Sequence, residues 1–271
     1  MTPKQRRIVH VLGLAVFAGI AVYAFYRAPP DVSRLKVQWL VFAVVLAGIA
    51  MLCQGLQNVA FLRQENAPAK LGWAIWFASE KAWLNSVFPA KAGTAGAIVV
   101  LHKKLGIRWD RYVRFMLLCS GTTAVASLAA LAVMLLPTVA GIAAAIGIFV
   151  VCTAALVFVY KMTWPRLYAL GILSVANLAV LSGGVGACLI GLGYPVGIRD
   201  IAPIGVVMNL LSIVAITPGN FGVREATLSL LAPVMPLGFS VIIQGSTCYV
   251  FSRLLASLGL ATALRGYALA D

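Results

Sequence analysis

Four cations stand where an apolar chain should least tolerate them. Lys81, Lys91, Arg224 and Arg253 fall inside long hydrophobic segments, accompanied by the carboxylates Glu80 and Glu225. An ionised side chain at membrane depth costs several kcal/mol unless it is paired or faces a polar cavity. Such residues are therefore functional candidates. Arg253 is the sharpest of them, since it sits roughly 21 Å along its segment at 1.5 Å per residue, too deep to reach either surface. Ser246, Tyr249, Arg253 and Ser257 recur at helical spacing and make one polar stripe, which must face other protein. Two readings of the charges are open. They bind an anion, phosphate above all, or they form a structural ion network with Glu80 and Glu225.

The composition explains why these positions are exceptional. The 271 residues are 62% hydrophobic and 10% charged, well under the roughly 25% charged of soluble domains. The formal charge is +14, from 21 Lys and Arg against 7 Asp and Glu. The basic residues cluster in short links between apolar runs, which is the signature of cytoplasmic loops and argues against nucleic-acid binding. No link is long enough for a soluble enzyme domain. No nucleotide-binding loop, metal-spaced cluster or Ser–His–Asp set occurs, so neither catalysis nor a cofactor or metal is expected. The five cysteines lie in five different apolar runs and read as packing residues.

The expected fold is all-α: a polytopic membrane bundle of about six full spans plus two re-entrant helical hairpins. The spans fall at 8–26, 37–61, 112–136, 139–160, 167–192 and 239–264. The segments 71–101 and 201–234 are too long for one helix and too short for two crossings. The first is interrupted by Pro89 and Gly93, and the second by Pro218, Gly219 and Gly222. With the N-terminus cytoplasmic, thirteen of the 21 basic residues fall on the cytoplasmic side and four outside. That asymmetry sets the orientation, places the C-terminus inside as well, and implies a cell membrane, expected to be a bacterial inner membrane.

This topology predicts one integral membrane domain over residues 1–271, with an N-terminal span in 1–36. Residues 37–136 and 167–264 are then the two halves of an inverted repeat. Registered on their prolines, Pro89-Ala90-Lys91-Ala92-Gly93 overlies Pro218-Gly219-Asn220-Phe221-Gly222, and nine residues before each Pro stand Glu80 and Asn209. Interrupted segments at matching positions point to a transporter's binding site. The candidate substrate-binding residues are Glu80, Asn85, Lys91, Asn220, Arg224, Glu225, Tyr249 and Arg253. Trp73, Trp76, Glu80 and Trp83 share a helix face, either a lipid-facing belt or the wall of a path for an acyl or prenyl chain. Gln54, Gln57, Asn58 and Asn177 are expected to bond between helices. The run Ser182, Gly183, Gly184 and Gly186 is expected to bring helices close.

The stretch Thr217-Pro218-Gly219-Asn220-Phe221-Gly222-Val223-Arg224-Glu225 resembles the Pro-Gly-x-x-Gly-x-Arg-Glu signature of the lysylphosphatidylglycerol synthetase transmembrane family, the flippase-like integral membrane proteins. Asn85 to Gly93 is similar to that family's Asn-x-x-x-Pro-x-Arg-x-Gly element, with Lys91 at the Arg position, and Arg253 also has a family counterpart. The family's acid after the first-motif Gly and the Arg that soon follows are replaced here by Thr94 and Ala97. Any proton role of that acid is left without a carrier or moves to Glu80. The resemblance covers about residues 37–264 and does not include the soluble synthetase domain. It implies movement of a lipid with an anionic head, a phospholipid or a polyprenyl-phosphate-linked sugar, between leaflets. A membrane-embedded accessory subunit or lipid-modifying transferase, and a small-solute permease, are the alternatives. A membrane enzyme partner and self-association stay open.

Overall fold

The computed structural model describes residues 32–68, 70–88, 91–135, 139–160, 164–213, 220, 223–231 and 237–269, with Val11, Ala15, Gly19, Val22 and Tyr26 as isolated positions. The described residues form helices and no strand. In chain order they are α1 (Val37–Gln64), α2 (Leu71–Val87), α3 (Ala92–Leu105), α4 (Trp109–Leu135), α5 (Val139–Tyr160), α6 (Trp164–Gly191), α7 (Ile198–Ile213), α8 (Val223–Leu231), α9 (Phe239–Ala263) and α10 (Arg265–Leu269).

Five helices, α1, α4, α5, α6 and α9, are long and apolar enough to cross a membrane. The chain is a multi-pass helical membrane protein. These five match five of the six expected spans; the sixth, 8–26, lies outside the described residues apart from isolated positions. The two interrupted segments do break. At 1.5 Å per residue α2 reaches only about 25 Å, short of a hydrocarbon core of roughly 30 Å, and α3 is shorter still.

α1 and α6 pair most extensively and run antiparallel. The start of α1 meets the end of α6, where Lys36 N–H donates to the Gly191 carbonyl at 2.8 Å. At the opposite end the start of α4 is tied to the end of α1 by Arg111 and Glu65, 2.7 Å apart. α2 returns through α3 to the end it started from, because Trp73 and Ala74 near the start of α2 share one core cluster with Leu101 and Ile107 beyond the tip. A second cluster joins α1, α6, α7 and α9 to Trp83 and Val87 of α2. The small residues of α6 act as anticipated: Ser182 abuts Gly205 of α7, and the Tyr249 ring of α9 lies against Gly184.

The tryptophan face is neither a lipid belt nor a chain path. Trp73 is 5% exposed, Trp76 6% and Trp83 0%, so all three pack inside the bundle. Trp73 stacks on Phe77 with ring centroids 4.9 Å apart. Apolar surface in contact with lipid gains nothing from large aromatics, whereas two helix layers meeting over α2 leave space that they fill.

The α2–α3 turn depends on Gly93. A Cβ there would run into the Lys81 carbonyl, with Asn85 Oδ1 2.8 Å away. Gly93→Ala is expected to destabilise the protein by about 1–3 kcal/mol through overpacking. Gly96→Ala, where a Cβ meets nothing within 4 Å, should be neutral or stabilising. Thermal melting of both variants in detergent checks this, and equal behaviour would remove Gly93 from the role.

Candidate functional site

Where the two broken segments meet, the first supplies a donor to the second, at Ile213, the last described residue of α7. Lys91 Nζ donates to the Ile213 carbonyl at 2.5 Å, and Asn220 Nδ2 donates to the Leu211 carbonyl at 2.7 Å. Both donors adopt left-handed backbone, with φ of 54° for Lys91 and 58° for Asn220. Non-glycine residues in that region are uncommon and mark sharp turns or functional sites. Each stands two residues after the proline of its segment.

Asn85 holds the first turn from the other side. Its Oδ1 accepts from Thr94 N–H at 3.1 Å and its Nδ2 donates to Thr94 Oγ1 at 3.2 Å. The amide thus shares with the Lys91 carbonyl the Thr94 N–H in the first turn of α3. Asn85 is a positioning residue, and the start of α3 is partly occupied by its own chain rather than open to an anion.

Behind these contacts lies a cavity of about 200 Å³. Four cations line it: Lys81 from α2, Lys91 from the tip, Arg224 from α8 and Arg253 from α9. Neutral polar groups complete the wall, among them Gln54, Gln57 and Asn58 of α1, Asn177 of α6, and Asn209 and Ser212 of α7. Among the described residues no carboxylate lines it. Lys81 is close enough to both Lys91 and Arg253 for their charges to repel it.

Arg224 is 1% exposed. It donates to the Ser246 carbonyl at 3.3 Å and to Thr247 Oγ1 at 3.0 Å, both on α9. Arg253 is half-buried, and its Nε has no hydrogen-bond partner. Asn209 donates to Ser127 Oγ at 3.0 Å while its Oδ1 has no partner, and Asn220 Oδ1 is likewise unpaired. The wall thus presents both unused donors and unused acceptors. Buried polar groups are nearly always paired, so an unpaired set marks a place for a ligand or water.

Of the residues singled out in the sequence, Asn85, Lys91, Asn220, Arg224, Tyr249 and Arg253 line this cavity together. The expected stripe on α9 faces inward, with Ser246 and Ser257 fully buried and Tyr249 2% exposed. Glu80 is not in the lining; one residue on, a rotation of about 100° along the helix, Lys81 takes that place. Glu225 belongs to α8, but its side chain, like Pro89, Pro218, Gly219 and Gly222, lies outside the described residues. Gln54, Gln57 and Asn177, expected only to bond between helices, are wall residues. Asn58 does both, donating to the Ala74 carbonyl at 3.5 Å. Their one signal in the sequence was polarity at the depth of the tips.

No group of three or more His, Cys, Asp or Glu that could hold a metal occurs among the described residues. No protein-family model matches the chain, and no curated protein matches it either. Fold and cavity define the class: a multi-pass helical membrane protein with an internal cationic site.

Cys119 of α4 lines the cavity and provides a probe of its field. In a variant retaining Cys119 alone, an anionic methanethiosulfonate should label it at least about tenfold faster than a cationic one of similar size, the difference that 1.4 kcal/mol makes. Equal rates, measured by mass spectrometry, would mean that the cavity carries no net positive potential.

Proposed function

We propose that the protein moves a lipid with a phosphate-bearing head, a phospholipid or lipid-linked sugar, between membrane leaflets. The carrying observation is the cavity with Lys81, Lys91, Arg224 and Arg253 in its wall. A bundle in hydrocarbon retains buried cations only where something compensates them. Phosphate does so, and it accepts hydrogen bonds from every one of these donors. The unpaired Asn209 and Asn220 oxygens suit hydroxyls on the same head. At about 200 Å³ the cavity suits a head and not its chains, which stay in the bilayer.

The chain is assigned, as part of this reading, to the lysylphosphatidylglycerol synthetase transmembrane family, without its synthetase domain. The motif residues Lys91, Asn220 and Arg224 lie in one cavity wall, which supports the assignment. The same reading makes α2–α3 and α7–α8 re-entrant hairpins in an inverted repeat. In support, the packing of α1 on α2, α9 on α2 and α9 on α1 has counterparts in α6 on α7, α4 on α7 and α4 on α6. The left-handed Lys91 and Asn220 occupy equivalent positions in the two turns. Alternating access then comes from rocking one repeat against the other. The protein is a transporter and not an enzyme, and it resides in a bacterial inner membrane with both termini cytoplasmic.

Two experiments test this. In reconstituted vesicles Arg253→Ala and Glu225→Gln should each abolish translocation of a fluorescent phosphate-headed lipid while leaving the melting temperature within a few degrees. Full activity in both would overturn the site. A topology reporter fused near Val196 should report the outer side, and a cytoplasmic signal would break the inverted arrangement.

A further inference from the structure

The cavity's charge identifies the kind of phosphate it takes. We infer that the site selects a head carrying two negative charges, a phosphomonoester or a diphosphate, over a singly charged phosphodiester, and that Lys81 is one of its phosphate ligands. This rests on reading the cavity as a headgroup site.

The reasoning starts from charge balance. Four cations line one small space; Arg224 has partners on α9, and of the other three Lys81 is repelled by both Lys91 and Arg253. Among the described residues nothing anionic shares the wall. A diester would bring one negative charge against Lys81, Lys91 and Arg253, whereas a monoester above its second ionisation brings two, with three terminal oxygens as acceptors. In surroundings of low dielectric constant each uncompensated charge is costly, so the second negative charge is favoured.

The donors are also arranged for it. Lys91 Nζ uses one of its three hydrogens on the Ile213 carbonyl. Arg253 Nε has no partner. Lys81 Nζ has, among the described residues, only the thioether sulfur of Met116 at 3.7 Å, a weak acceptor. A lysine at membrane depth held by a thioether lacks the strong acceptor that a buried ammonium requires. The three donors come from the middle of α2, the first tip and α9. Together they could surround a terminal phosphate from several sides.

Size and sign exclude alternatives. A cavity of about 200 Å³ lies below the roughly 300–1,000 Å³ of sites that enclose drug-sized ligands. A compact phosphate fits that space. An aminoacylated head would carry its own ammonium into a cationic wall. The inference therefore departs from the aminoacyl phospholipids that the family resemblance suggests.

Dioleoyl phosphatidic acid and dioleoyl phosphatidylmethanol make the deciding pair, since they differ by one methyl group and, at about pH 8, by one charge. Binding of each to the purified full chain in detergent is measured by native mass spectrometry, with inorganic pyrophosphate as a competitor. Phosphatidic acid should bind at least about tenfold more tightly than phosphatidylmethanol, and pyrophosphate should displace it. Lys81→Gln should reduce that ratio to roughly threefold or less, while Lys81→Arg preserves it and neither alters the melting temperature.

Equal binding of both lipids would overturn the selection for two charges and leave the lipid reading standing. Binding of pyrophosphate with neither lipid would support the dianion site and overturn the lipid reading. Binding of none of the three would overturn both. A ratio unchanged in Lys81→Gln would remove Lys81 from the ligand set.

Discussion

The contact between Lys91 and the carbonyl of Ile213 is the interaction on which the interior depends. An apolar solvent offers no hydrogen bonds, so a chain that interrupts a helix within a bundle must satisfy its freed groups from inside. The carbonyl of Ile213, the last described residue of α7, takes an ammonium from the first turn. Asn220, of the same segment as α7, donates to the Leu211 carbonyl. The second broken segment is therefore completed partly by the first, while Asn85 and Thr94 close the first from within. The cavity lies beside that contact.

That arrangement explains the location of the charges. Lys91 serves a helix end and the cavity at once, and Arg224 is fastened to α9 through Ser246 and Thr247. Arg253 and Lys81 are held less completely, by a weak thioether contact in one case and with an unpaired Nε in the other. The structural cations define the frame, and the under-satisfied ones give the space between them its affinity. An interior that only needed stability would have used apolar residues at these positions, since desolvated charges seldom improve on them. Their retention is the physical case for a ligand.

The remaining helices support this centre. α1 and α6 form the antiparallel pair at its back, and Gly184 and Gly205 let α9 and α7 approach α6 closely. The tryptophans of α2 fill the space between the helix layers, which fixes the depth at which Lys81 and Asn85 stand. α5 packs on α4 and α6, and none of its described residues lines the cavity.

Much of this was legible in the residues alone. Long apolar runs fixed five of the helices nearly to their ends, because hydropathy is a property of composition and length. Pro89, Gly93 and the Pro-Gly pair at 218–219 marked the interruptions, since proline and glycine act on the backbone locally. The four cations within apolar segments were conspicuous for their cost. Which of two adjacent residues faces inward was a different matter. Glu80 and Lys81 are one step apart, and only the packing of α2 against α1, α3 and α9 turned the lysine toward the cavity. The same packing buried the tryptophans and made wall residues of Gln54 and Asn177. Sequence specifies what each position costs in a given solvent; tertiary structure decides which neighbours meet that cost, because rotation about a helix axis depends on every helix packed around it.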